Sequence, residues 1–120
     1  MPSFRFEKLT GWQKAVDYAD AVYTASEGFP KDERFGLTSQ IRRAVVSVSS
    51  NIAEGCGRLT DADQARFIEF AYGSLMETVS QLHIARRRDF IEGPSFDDLR
   101  NKAEELARIL SGLRSRLRKP

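Results

Sequence analysis

The run Gln40-Ile-Arg-Arg-Ala-Val-Val-Ser-Val-Ser-Ser-Asn-Ile-Ala-Glu-Gly-Cys-Gly-Arg58 decides how this chain folds. Ile41, Val45, Val48 and Ile52 recur at steps of three and four, the spacing of one helix face. The β-branched cluster Val45, Val46 and Val48 is the one place where a strand could be argued. Helix is the better reading, because the three-and-four spacing persists over several turns and leaves Val46 facing away. Beside the apolar stripe runs a polar one: Gln40, Arg43, Ser47, Asn51, Glu54 and Arg58. Polar groups at the margin of a core need partners, and a buried one left unpaired costs about 1–3 kcal/mol. The stripe suits a hydrogen-bonded seam, inside the fold or at a subunit boundary. It equally suits a solvated shoulder.

Outward from this segment, the spacing predicts four helices at about 12–27, 37–54, 61–88 and 96–117. Together they form a single domain over 1–120, an antiparallel up-down-up-down four-helix bundle of the all-α class. In the first helix Trp12, Ala15, Val16, Ala19, Val22 and Tyr23 share a face. Thr10 is its expected cap, with Gln13 as reciprocal partner. Gly28 and Pro30 stop it. Gly36 closes the following turn, and Gly55 and Gly57 end the second helix. Thr60 is placed to cap a third helix about 40 Å long. That helix turns Ile68, Ala71, Tyr72, Leu75, Val79 and Leu82 inward, which leaves Phe67, Phe70 and Met76 outside. Apolar residues on extra sides make these three the candidate oligomer interface. Gly93 and Pro94 are expected to break the chain, with Ser95 capping a fourth helix. Its Phe96, Leu99, Ala103, Leu106, Leu110, Leu113 and Leu117 alternate steps of three and four.

A chain of 120 residues can bury a modest core without staples. The net charge is only +2, but it is unevenly placed. From Leu106 onward there are Arg108, Arg114, Arg116, Arg118 and Lys119 with no acidic residue. With Arg42 and Arg58 these are the candidate nucleic-acid contacts, since such cations attract phosphate. Cations in the last turns of a helix also suit its dipole. The single Cys56 allows no disulfide within the chain, in keeping with a reducing cytoplasm. No secretory leader and no membrane-spanning segment are expected.

Little in the sequence points to catalysis. His83 is the only histidine and has no cysteine or carboxylate at metal-ligand spacing. Cys56 sits between two glycines at a helix end, where a nucleophile would need a base brought from elsewhere. Glu54, Glu69 and Glu77 lack the Glu-x-x-His pairing of di-iron bundles. The chain is therefore expected to be no enzyme and to hold no cofactor or metal. Arg43, Ser47, Asn51, Glu54 and Glu77 form a candidate structural network between helices two and three. Within it Arg43 is expected to meet Glu77, while Arg66 meets Glu69 or Glu77 of a neighbour.

The segments Gln40-Ile-Arg-Arg-Ala, Asn51-Ile-Ala-Glu-Gly and Gly57-Arg58 resemble the four-helix bundle family named for 23S ribosomal RNA intervening sequences. So do Phe6-Glu-Lys-Leu with Trp12, Phe29-Pro30, Phe35-Gly36-Leu37 and Ala71-Tyr-Gly-Ser-Leu-Met-Glu77. Phe35 departs from the usual Tyr, and Arg86, Arg87 and Arg88 stand where a more neutral segment is expected. The resemblance implies a homo-oligomer in a bacterial cytoplasm, as a ring of five bundles. The family is similar to accessory proteins of diversity-generating retroelements, which are basic pentamers working with nucleic acid. The expected function is non-catalytic binding of RNA or DNA, structured RNA above all, through basic patches. The alternative is a scaffold for a protein partner, in which the arginines only solubilise.

Overall fold

The computed structural model describes residues 3–119. Four helices carry the fold: α1 (Thr10–Ser26), α2 (Leu37–Cys56), α3 (Asp61–Arg87) and α4 (Gly93–Leu117). Short 3-10 turns at Arg5–Lys8 and Lys31–Glu33 precede α1 and α2. No strand occurs among the described residues, so the valine cluster is helical. Each helix packs against its chain neighbours and α1 closes the bundle against α4, while the backbones of the diagonal pairs stay apart. The register is antiparallel. Along α2 and α3, Ser47 meets Ser74 while Gly55 meets Phe67. Along α3 and α4, Glu69 meets Arg114 while His83 meets Phe96. Gly11 of α1 lies by Ile109, and Lys14 pairs with Glu105 at 3.4 Å. The long axis of 46 Å follows from α3, whose 27 residues rise about 40 Å.

The helix ends show which local signals govern. Thr60 caps α3 as expected, its Oγ1 accepting from the Asp63 amide at 3.1 Å. Thr10 does not cap α1; it is the first helical residue, Leu9 precedes it, and Gln13 donates instead to the Glu7 carbonyl at 2.8 Å. The Glu33 carboxylate accepts from the Leu37 amide at 3.0 Å and so serves the start of α2. The reversal between α3 and α4 occurs earlier than Gly93 and Pro94. Asp89 takes a left-handed conformation with φ 60°. The Phe90 amide reaches the Ala85 carbonyl at 2.8 Å and the Asp89 amide reaches that of Arg86 at 3.2 Å, a Schellman closure. Gly93 and Pro94 then form the first turn of α4, where a proline's missing N–H has no helical acceptor to lose, and Ser95 lies inside the helix.

Ile41, Val45, Val48 and Ile52 are all fully buried, as their spacing requires. α1 turns Tyr18 inward, while Val16 and Tyr23 stay partly exposed. On α3 the buried face is wider than expected: Gln64, Phe67, Thr78 and Gln81 join it, and Tyr72 leaves it. The Tyr18 hydroxyl meets Thr78 Oγ1 at 2.8 Å, linking α1 to α3 across the bundle's centre. Thr78 donates to the Leu75 carbonyl at 2.7 Å, so Tyr18 must be the donor between them. Burial pushes the Tyr18 phenol up to about 12, against the smaller opposing effect of the Thr78 bond. A neutral, hydrogen-bonded phenol is thereby kept in the core.

Candidate nucleic-acid interface

The antiparallel register brings the end of α4 to the same end of the bundle as the α2–α3 turn. There Arg114 and Arg118, one turn apart on α4, converge on a single acceptor, Oε2 of Glu69. Arg118 donates at 2.8 Å, and Arg114 donates through Nε. The Arg114 hydrogen bond holds the Glu69 carboxyl below the usual carboxylate range against the opposing effect of desolvation, with both guanidinium charges and the Arg118 hydrogen bond adding to it. One carboxylate shared by two guanidiniums leaves one positive charge over. Arg116 and Lys119 are exposed and make no ion pair among the described residues. Arg108 has only an exposed contact with Glu104 at 3.5 Å, a kind of pair that contributes little. The last turns of α4 thus present a net cationic surface.

Arg42 and Arg58 stand apart from this group. Arg42 donates to Ser26 Oγ at 2.8 Å and to the Tyr23 carbonyl at 3.2 Å, and lies 4.8 Å from the Tyr23 ring centroid. It closes the C-terminal turn of α1, where a cation suits the free carbonyls. Arg58 covers Phe67 at 4.3 Å from the ring centroid and reaches Glu54 at 3.8 Å and Asp63 at 3.6 Å. Within the chain Arg66 pairs with Asp63 at 3.0 Å and makes no ion pair with Glu69. Arg58 and Arg66 line an open cavity of about 540 Å³ at the α2–α3 turn, but their charge is largely met by Glu54 and Asp63.

Within the chain, the five residues of the expected network do not join. Asn51 donates to the Ser47 carbonyl at 2.8 Å and to Ser47 Oγ at 3.0 Å, and Ser47 meets Ser74. Glu54 turns to Arg58, and Glu77 accepts from Gln81 at 3.3 Å. Arg43 is exposed and makes no ion pair among the described residues, so its expected contact with Glu77 is absent within the chain. The reason is helix phase: Ser74 is the short side chain on α3 that faces Ser47, and Glu77 points outward. Of the three expected interface residues, Phe67 is only 7% exposed and packs under Arg58 and against Gly55. Phe70 and Met76 remain 48% and 40% exposed.

Cys56 is buried at the end of α2, and His83 is exposed toward the far end of α3, so the two cannot act together. Among the described residues no three His, Cys, Asp or Glu side chains converge as a metal site requires. No described helix is long and apolar enough to cross a membrane.

The sequence profile of a family described as "23S rRNA-intervening sequence protein" matches residues 7–112. The fold is similar to a crystal structure of a protein of unknown function from the S23 ribosomal protein family of Bacteroides thetaiotaomicron. The two chains share 20% identity with a TM-score of 0.80, over 92% of this chain and 100% of that one. At that identity the likeness shows the fold. No curated protein matches the chain.

Proposed function

The chain belongs to the 23S rRNA-intervening sequence protein family, and from that premise we propose that it is a non-catalytic, homo-oligomeric nucleic-acid-binding protein of the bacterial cytoplasm. It holds structured RNA by its phosphates through the last turns of α4. The observation that carries this reading is the cationic excess there, with Arg114 and Arg118 on one carboxylate and Arg116 and Lys119 unpaired among the described residues. Binding of this type depends on counterion release and weakens steeply with salt.

The outer face of α2 and α3 supports association of copies. Val46, Phe70 and Met76 are half-exposed there. Gly73 lies mid-helix with open space where a Cβ would stand, although glycine costs a helix about 1 kcal/mol relative to alanine. A closely approaching neighbour gives that glycine a reason. Gln81 Oε1 is buried without a partner, and Arg43 and Glu77 offer opposite charges to a second copy. A closed ring of five would multiply each weak basic surface by avidity.

Native mass measured before and after nuclease treatment tests both parts. The expected result is a multimer that loses nucleic-acid mass on treatment. Replacing Arg114, Arg116 and Arg118 together with Gln should weaken RNA binding and flatten its salt dependence. A monomer at working concentration, or no RNA binding at low salt, refutes the corresponding part. A nuclease-resistant protein partner with no nucleic acid points to a scaffold.

A further inference from the structure

The other end of the bundle carries cations that the α4 surface does not use. An open cavity of about 480 Å³ lies where the last turns of α3 meet the start of α4. Ser80, His83, Ile84, Arg86, Arg87 and Phe96 line it. Its volume is within the range of small-ligand pockets. Ser80, His83 and Arg87 are spaced three and four apart on α3 and so share one face. The Phe96 ring, from α4, meets the His83 ring edge-on at 5.0 Å. Ile84 is half-exposed beside them.

Every polar residue of the lining can donate a hydrogen bond, and none is a carboxylate. Among the described residues Arg87 makes no ion pair, whereas the Arg86 guanidinium reaches Asp89 at 3.5 Å and lies against Gly93, both outside the lining. Cations at the end of α3 suit its dipole, which accounts for their charge. It does not account for a concave site that sets them beside an imidazole and two apolar side chains. Uncommitted donors call for an anion rich in acceptors, and a planar guanidinium matches phosphate oxygens. Ile84 and Phe96 add a surface for a flat apolar body, which bare phosphate lacks.

We propose that this cavity binds a nucleotide, with the phosphate on Arg87, His83 and Ser80 acting as further donors, and the base against Ile84 and Phe96. This site is independent of the RNA reading of α4, which concerns the opposite end. The nucleotide is either free or an unpaired residue of an RNA, and both present the same chemistry.

Isothermal titration of the full chain with AMP and with inorganic phosphate tests the site. AMP should bind at least about tenfold tighter than phosphate, and Arg87→Gln should weaken AMP about tenfold or more, since a hydrogen bond to a charged group is lost. Ile84→Ser, at an exposed position, should weaken AMP but not phosphate. The Arg114, Arg116 and Arg118 to Gln variant should keep AMP binding whatever happens to its RNA binding. Displacement of AMP by an unpaired adenosine hexanucleotide assigns the site to RNA, and AMP binding without displacement assigns it to the free nucleotide. No AMP binding, indifference to Arg87→Gln, or phosphate binding as tightly as AMP overturns the proposal.

Discussion

Replacing Glu69 with Gln is the sharpest perturbation of the α4 surface. Gln keeps an acceptor for Arg114 and Arg118 but removes the one negative charge between them. Two guanidiniums that now share one carboxylate would both be available to phosphate, so the local net charge rises from one to two. Each added phosphate contact steepens the log–log salt dependence on duplex by about 0.9. Between 50 and 200 mM salt that slope corresponds to roughly a further threefold loss of affinity per contact. Affinity at low salt should rise correspondingly. The pairs are about half-exposed, so the urea midpoint should hardly move. Fluorescence anisotropy with a structured RNA across a salt series is the assay. Asp98→Asn is the control: it adds the same charge to the chain but at the start of α4, where Asp98 holds Lys102 at 2.8 Å. Tighter and steeper binding should appear for Glu69→Gln alone. Equal effects from both variants would mean that overall charge, not this cluster, governs binding, and weaker binding by Glu69→Gln would refute the reasoning outright.

The Glu69 carboxyl is held low, so its pairing is fully present above the ordinary carboxylate pKa and fades as pH falls through its folded value; a pH titration followed by NMR should show this midpoint below that of an exposed glutamate. In the core, Thr78→Val leaves the Tyr18 hydroxyl buried without an acceptor and should cost about 1–3 kcal/mol, whereas Tyr18→Phe leaves Thr78 bonded to Leu75 and should cost about 0.5–1.5 kcal/mol; urea denaturation that ranks them the other way contradicts the donor assignment. The folded state holds the Tyr18 proton more tightly than the unfolded state. Stability should therefore fall between pH about 10 and about 12, by on the order of 2–3 kcal/mol, and Tyr18→Phe should flatten that decline. A Cβ on Gly55 would meet Phe67 Cβ at 2.7 Å and the Gln64 carbonyl at 3.3 Å, so Gly55→Ala should destabilise by about 1–3 kcal/mol despite its better helix propensity; a raised melting temperature would show that α2 and α3 can separate freely. Thr60→Ala should cost about 0.5–2 kcal/mol by removing the cap of α3, read by the same denaturation.

Periodicity alone determined the helical class, the number of helices and the fully buried stripe Ile41, Val45, Val48 and Ile52. These follow from backbone geometry, which repeats whatever the helix later packs against. The Thr60 cap was legible for the same reason, being closed within four residues. Partners across helices were not, because they depend on the phase and register of two elements at once. Glu69 stands 45 residues from Arg114 in sequence, and only the antiparallel crossing of α3 and α4 joins them. Tyr18 and Thr78, 60 residues apart, were hidden likewise. The same crossings took Phe67 inward beneath Arg58, tied Arg42 to the end of α1 and turned Glu77 away from Arg43. A sequence shows which residues share a face; the depth of that face, and which charge meets which, is decided by the neighbouring helix that covers it.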